Sequence, residues 1–187
     1  MKVTAVLLAG GESRRMGHEK ATLVFRGKPL WQTQVECLEK LEPVEILLSA
    51  RSDPGWRPSN IRFVGDVAPS RGPLSGLAAA LTAARTAHLL ALAIDMPFMT
   101  AKYLRVLCDT LESGRGVKPM IDNRAEPLAA VYPAKADVDL AAALRGPDFS
   151  MQSLVASLIA AGKLRAVAVA QDERLFFRNF NEPGDVR

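Results

Sequence analysis

Histidine and cysteine are scarce in this chain of 187 residues, which contains two of each. His18 and His88 are too few for a histidine-rich metal site, which leaves a hard cation held by carboxylates as an option. Cys37 and Cys108 lie far apart in predicted helices. We expect both to be reduced thiols in the core of a cytoplasmic protein.

Tyrosine and tryptophan are also rare, with two of each, and no run of Lys and Arg exceeds two residues. A net charge of +4 spread in this way, with few rings for base stacking, argues against a nucleic-acid partner. No apolar run approaches the roughly 18 residues of a membrane span, and the N-terminus enters a strand without a signal-peptide pattern. We therefore expect a cytoplasmic protein with no membrane partner.

What the chain does contain is a regular alternation of strand and helix patterns. The predicted strands are Val3–Ala9, Val44–Ser49, Ile61–Val64, His88–Ile94, Val117–Ile121, Leu128–Tyr132 and Leu164–Ala170. Predicted helices begin at Pro29, near Pro73, after Thr100, at Pro133 and after Ser150. This alternation predicts a three-layer α/β/α sandwich with a mostly parallel sheet and right-handed crossovers, built as one domain over residues 1–187.

Glycines and polar residues follow several of the predicted strands. They are Gly10, Ser49, Asp66 and Asp95. Ligands of such folds bind outside the carboxyl ends of the parallel strands, which lie on one rim of the sheet. We therefore expect these four residues to meet at a ligand site.

The segment Gly10–Lys20 packs three glycines, two arginines and one lysine into a short loop after a strand. Glycine allows positive φ and close backbone approach, so such a turn can point several N–H groups at an anion. Arg15 and Lys20 add positive charge, and the loop predicts a phosphate site. The Walker and dinucleotide-binding patterns are absent from the sequence. The alternative is a glycine-rich surface turn with solvated charges.

Acidic and amide side chains give further candidates. Asp95 ends the most apolar strand, where a carboxylate is unfavourable unless it is paired or bound to a cation, so it is a candidate Mg²⁺ ligand or a turn cap. Asp66 either contacts a ligand or forms a turn. Asn179 and Asn181 lie two residues apart in a predicted extended tail, so their amides either face the site together or are satisfied within a turn.

Six motifs, taken in order, resemble the molybdenum cofactor guanylyltransferase family. They are Leu8-Ala-Gly-Gly-Glu-Ser-Arg-Arg-Met-Gly-His-Glu-Lys20, Gly27–Leu30, Gly72–Gly76, Asp95–Phe98, Glu126–Tyr132 and Asn179–Pro183. The resemblance covers almost the whole chain. It implies a Rossmann-like nucleotidyltransferase fold of the sugar-nucleotide pyrophosphorylase type. It also implies transfer of GMP from GTP to Mo-molybdopterin, with Mg²⁺ as cofactor and pyrophosphate as the leaving product.

The resemblance also assigns roles by position. The nucleotide would be bound by Leu8, Ala9, Gly10, Gly11, Lys20, Ser49, Asp66 and Asp95. Arg15 and Lys20 would neutralise phosphate charge, and Asp95 would hold Mg²⁺. Asn179 and Asn181 would approach the pterin or the metal. Molybdoenzymes or other cofactor-biosynthesis proteins are further partners that it admits.

The chain departs from the family pattern at several positions, including the tail Asn181–Asp185, and the resemblance leaves alternatives open. Glu19 stands where the family usually has aspartate, and Ser49 stands where asparagine is common. The pair Gly10-Gly11 favours a guanylyl over a cytidylyl donor. The alternatives are a relative that uses CTP or a sugar phosphate, a GTP-binding regulator without turnover, and a structural module. The presence of both Lys20 and Asp95 argues against the regulator.

Overall fold

The computed structural model describes residues 2–10 and 19–180. Its strands are β1 (Thr4–Leu8), β2 (Val24–Phe25), β3 (Lys28–Pro29), β4 (Glu45–Ala50), β5 (Arg62–Gly65), β6 (His88–Ala93), β7 (Gly116–Ile121), β8 (Arg124–Ala125), β9 (Ala129–Pro133) and β10 (Leu164–Ala168). Its α-helices are α1 (Leu30–Glu39), α2 (Pro73–Ala83), α3 (Ala101–Asp109), α4 (Asp137–Arg145) and α5 (Met151–Ala160). Short 3₁₀ segments span Lys20–Thr22, Ala134–Ala136 and Gln171–Phe177.

One large sheet runs through the described part of the chain in the order β10-β7-β9-β6-β1-β4-β5, with β8 paired to β7. Strand β1 is parallel to β4 and β6, β4 is parallel to β5, and β10 is parallel to β7. Strand β9 runs antiparallel to both β6 and β7. The predicted mostly parallel sheet is confirmed, with β9 as its reversed member.

The two faces of the sheet carry separate apolar clusters because successive strand residues point to opposite faces. Leu90 and Leu92 of β6 belong to the cluster that α1 and α3 complete. Leu89 and Ala91 of the same strand belong to the cluster that α2, α4 and α5 complete. The predicted three-layer α/β/α sandwich is therefore confirmed.

The helix ends agree with the sequence prediction at two caps and differ from it in two segments. Thr100 and Ser150 cap α3 and α5 through their side-chain oxygens. The single helix predicted from Pro133 is instead a 3₁₀ turn followed by α4. The 3₁₀ segment Gln171–Phe177 has no counterpart in the prediction. Phe177 at its end is buried against the core, with its ring centroid 5.3 Å from that of Tyr103.

The two cysteines lie in the core, as the sequence predicted. Cys37 and Cys108 are free and buried. Burial raises the pKa of each thiol to about 11, so both are protonated and unreactive near neutral pH. None of the helices in the described ranges is long and apolar enough to cross a membrane.

Candidate functional site

A cavity opens at the carboxyl edge of β1, β4, β5 and β6. It is lined by six of the residues that the sequence singled out: Leu8, Gly10, Lys20, Ser49, Asp66 and Asp95. They meet although they are far apart in sequence, because neighbouring parallel strands end on the same rim. Gly72 and Gly76, at the start of α2, complete one wall.

Asp66 is held in a fixed orientation within this cavity. The Ser49 hydroxyl donates to Asp66 Oδ1 at 3.0 Å, and the Ser70 hydroxyl donates to Oδ2 at 3.4 Å. Two glycines make room for this arrangement. A Cβ atom at Gly10 would lie 2.8 Å from Asp66 Oδ2, and one at Gly76 would lie 2.8 Å from Ser49 Oγ. The carboxylate therefore stays in the cavity because both positions lack a side chain.

Lys20 and Asp95 form an ion pair that lines the same cavity. Lys20 Nζ lies 3.2 Å from Asp95 Oδ2, and the two side chains are 19% and 21% exposed. The Asp95 carbonyl accepts a hydrogen bond from the Phe180 N–H at 2.8 Å, which fixes the chain beyond β6. The carboxylate at the end of the apolar strand is thus paired with a cation, as its burial requires.

Asp95 also suits a divalent cation. The described part of the chain contains no group of three or more His, Cys, Asp or Glu side chains that could enclose a metal ion. Mg²⁺ does not need such a group, because it keeps several waters and binds through one or two carboxylates together with substrate phosphates. A partly exposed carboxylate beside a lysine in an open cavity fits that donor set.

Trp56 supports the site from outside the cavity, and sequence reasoning missed it. Its indole N–H donates to Glu19 Oε1 at 2.8 Å, and its ring stacks on Trp31 with centroids 5.7 Å apart. The Glu19 carbonyl accepts from both the hydroxyl and the N–H of Thr22. These contacts tie Lys20 to the segment between β4 and β5. The sequence offered one signal, which is Glu19. A glutamate side chain is longer than the aspartate that is usual at this position, and it reaches the Trp56 indole.

The tail residues lie beside a second cleft, which is lined by Asn179 among others and shares Leu128 with the cavity. Phe180 holds this tail in place, since its ring contacts Phe25 and Phe98 with centroids 5.1 and 5.9 Å away. The tail is therefore docked next to Asp95 rather than projecting away from it.

Among the described residues that the sequence singled out, Ala9 and Asn179 do not line this cavity. Ala9 packs its side chain against the cluster on the α1 and α3 face, while its N–H donates to the Ser49 carbonyl at 2.8 Å. Gly11, Arg15 and Asn181 lie outside the described residues. Their roles stay predictions.

The fold and the cavity together define a nucleotide-binding α/β protein of the nucleotidyltransferase class. The rim of the sheet carries Gly10 and the Lys20–Asp95 pair, which suit a phosphate chain. It also carries Asp66, whose carboxylate suits a base. The chain belongs to the family described as MobA-like NTP transferase domain, whose model matches residues 5–164. The resemblance stated from the motifs is confirmed, and the chain is a nucleotidyltransferase.

Named relatives and solved structures agree with this family. A protein of Opitutus terrae named probable molybdenum cofactor guanylyltransferase is 37% identical over 98% of this chain and 92% of its own length. The crystal structure of molybdopterin-guanine dinucleotide biosynthesis protein A from Archaeoglobus fulgidus has a TM-score of 0.78 at 26% identity, covering 98% of this chain and 95% of that one. A cytidylyltransferase from Thermus thermophilus shares the fold, with a TM-score of 0.70 at 16% identity over 100% of this chain and 96% of that one.

Proposed function

We propose that this nucleotidyltransferase transfers GMP from GTP to Mo-molybdopterin, forming the guanine dinucleotide cofactor and releasing pyrophosphate. The observation that carries the proposal is one cavity in which the Lys20–Asp95 pair and the Asp66 carboxylate face the same space. The pair suits a triphosphate, and Asp66 suits a base with adjacent N–H donors. The guanylyltransferase name of the nearly full-length relative supports the same reaction.

Asp66 accounts for the choice of guanine in this proposal. Guanine presents its N1–H and its 2-amino group side by side, whereas cytosine presents acceptors at N3 and O2. Both Asp66 oxygens can accept further hydrogen bonds besides those from Ser49 and Ser70, because each carboxylate oxygen has two lone pairs. A carboxylate held in place by two hydroxyls favours the base that offers it two donors.

The chemistry needs positioning more than proton transfer. A phosphate oxygen of the acceptor attacks the α-phosphorus of GTP in line, and the bond from that phosphorus to the bridging oxygen of pyrophosphate breaks. Since the attacking oxygen is already anionic, no strong general base is required. Lys20 offsets the charge that develops on the leaving group, and Arg15 is proposed to assist it.

We propose Mg²⁺ as the divalent cation, with Asp95 as its ligand. When bound, Mg²⁺ would neutralise phosphate charge and polarise the reacting phosphoryl group. Asp95 is placed for this because the Phe180 N–H fixes its backbone and its side chain stays partly exposed to the cavity. Lys20 lies beside the same carboxylate, so its positive charge is available to the phosphates.

Pyrophosphate release with different nucleotides tests the function. With Mo-molybdopterin as acceptor, we expect release from GTP, release from ITP about tenfold slower because ITP lacks the 2-amino donor, and none from CTP. Reactions without acceptor are the control. CTP turnover equal to that of GTP would favour the cytidylyltransferase alternative. GTP binding without pyrophosphate release would favour the regulator.

Replacing Trp56 with phenylalanine should raise the KM for GTP by up to about tenfold while kcat changes less. The substitution keeps a ring to stack on Trp31 but removes the indole N–H that holds Glu19. Lys20 is then positioned less firmly. Steady-state kinetics and calorimetric GTP binding measure the effect. Trp31→Phe keeps the Trp56–Glu19 hydrogen bond and serves as the control; an equal loss in that variant would contradict the role of the bond.

A further inference from the structure

The reversed direction of β9 brings an additional segment to the functional rim. Because β9 is antiparallel to β6, its first residue, Ala129, pairs with Leu92 near the end of β6. The residues just before β9 therefore lie beside the residues just after β6, among them Asp95. The Leu128 carbonyl accepts a hydrogen bond from the Ala93 N–H at 2.8 Å, which fixes this contact.

The second cleft, with a cavity volume of about 460 Å³, runs along this segment. It shares Leu128 with the nucleotide cavity and is lined by Met96, the residue after Asp95. Arg124, Glu126 and Asn179 contribute polar groups to it. Its size falls in the range of small-molecule sites. A molecule bound in this cleft would lie next to the nucleotide, where the second substrate of a transfer reaction must be.

Glu126 has a rigid backbone in this cleft. Its N–H donates to the Pro119 carbonyl at 3.0 Å. The preceding residue, Ala125, is held by the Gln152 side-chain amide, which accepts from its N–H at 3.2 Å and donates to its carbonyl at 2.9 Å. These bonds fix the point from which the Glu126 side chain extends.

The Glu126 carboxyl lacks a direct partner in the part of the chain that the structure describes. It is half-buried, and no described residue donates a hydrogen bond to it or forms a salt bridge with it. Burial raises the pKa of Glu126, and the charge of Arg124 only partly opposes this rise. A half-buried acid without a partner is unfavourable for folding, so its presence in a cleft beside the reaction site indicates a ligand contact.

We propose that Glu126 binds the 2-amino-4-oxo edge of the acceptor pterin in the second cleft, an inference that rests on the proposed function. A pterin presents its N3–H and its 2-amino group side by side, and the two oxygens of one carboxylate can accept both. Guanine presents the same pair of donors to Asp66. The two carboxylates would thus recognise the same chemical edge at the two ends of the dinucleotide product.

Glu126→Gln tests this contact by putting an NH₂ donor where an accepting oxygen stood. In the transfer assay we expect the KM for Mo-molybdopterin to rise about 10- to 100-fold, the range for losing hydrogen bonds to a charged group. The dissociation constant for GTP should stay within about twofold of the wild type, because Asp66 and Lys20 are unchanged. Glu39→Gln, at an exposed position at the end of α1, is the matched control and should behave as the wild type.

A pair of fluorescent probes tests the edge directly, without turnover. We would compare 6-hydroxymethylpterin phosphate with its lumazine counterpart, which carries an oxygen in place of the 2-amino group, by anisotropy in the presence of GTP. The wild type should bind the pterin probe about tenfold more tightly, as expected for one charge-assisted hydrogen bond. Glu126→Gln should lose this preference.

Thermal stability separates ligand recognition from a structural role. Burial raises the pKa of the Glu126 carboxyl in the folded protein above its reference value of 4.5. The contribution of this carboxyl to folding stability is therefore complete below pH 4.5, where it is neutral. It is lost as the pH rises through the pKa of the folded state. Glu126→Gln should therefore be at least as stable as the wild type at pH 7 to 8. A residue retained for structure would instead give a lower Tm.

Three results would overturn the inference. The first is a Glu126→Gln variant with wild-type acceptor KM and an intact pterin preference. The second is a variant whose Tm and GTP affinity both fall, since Glu126 would then be structural. The third is wild-type protein that releases no pyrophosphate from GTP with the acceptor, which removes the proposed function as well. Only this third result affects both proposals.

Discussion

Asp95→Ala should lower the rate of GMP transfer by about 10³-fold or more, because a metal ion on phosphates supplies several kcal/mol of charge stabilisation. Asp95 is the carboxylate at the carboxyl end of β6 that faces the cavity beside Lys20. Its removal takes away the proposed cation ligand without opening the core, since the side chain is already partly exposed. Pyrophosphate release at saturating GTP, measured across a Mg²⁺ titration, gives the loss.

Two companion variants make the Asp95 result specific. Asp95→Asn keeps the shape of the side chain and should be almost as inactive, with a Tm near that of the wild type. Asp109→Ala changes an exposed aspartate on α3, outside the cavity, and should keep full activity. Activity of Asp95→Ala within tenfold of the wild type would rule out its role as metal ligand.

Lys20→Ala should lower kcat by about 10²- to 10³-fold, by analogy with the loss of one donor from an oxyanion site. The ammonium group faces the cavity from the 3₁₀ segment Lys20–Thr22, where Glu19 and Trp56 hold its backbone. The effect should fall mainly on kcat, because negative charge on the leaving pyrophosphate increases in the transition state. Single-turnover measurements of pyrophosphate release at saturating GTP separate this step from binding.

The control for the Lys20 variant is Lys28, which also pairs with a carboxylate but lies outside the cavity. Lys28 pairs with Glu36 at 2.7 Å, but both side chains are largely exposed. Lys28→Ala should leave turnover unchanged and alter stability little, because an exposed ion pair contributes little to folding. A similar loss of kcat in both lysine variants would show a general charge effect and contradict a specific role for Lys20.

The meeting of Ser49, Asp66 and Asp95 could be predicted from the sequence because each follows an apolar strand pattern. Parallel pairing alone then places them on one rim, and no knowledge of side-chain packing is needed. The same local patterns predicted the caps at Thr100 and Ser150, since an N-cap depends on residues three positions apart.

The contacts that depend on long-range packing could not be predicted in this way. The hydrogen bond between Trp56 and Glu19 joins two residues that are 37 positions apart in the sequence and lie in different loops. The direction of β9 depends on a tight turn at Asp122, which has φ of 52°, between β7 and β8. The sequence at this turn lacks the Asn-Gly or Asp-Gly pair that marks a two-residue hairpin, so no strong local signal predicts that the chain reverses there.

In the proposed reaction, the reversal of β9 assigns the donor and the acceptor to largely separate stretches of the polypeptide. Residues at or after the ends of β1, β4, β5 and β6 line the nucleotide cavity, whereas residues 124–127 line the second cleft and Leu128 lines both. A descendant enzyme could therefore acquire a new acceptor by changing the hairpin that leads into β9 while keeping its nucleotide donor. For protein engineering, residues 116–133 form the natural unit to graft between homologues, since β7 and β9 pair with each other within it.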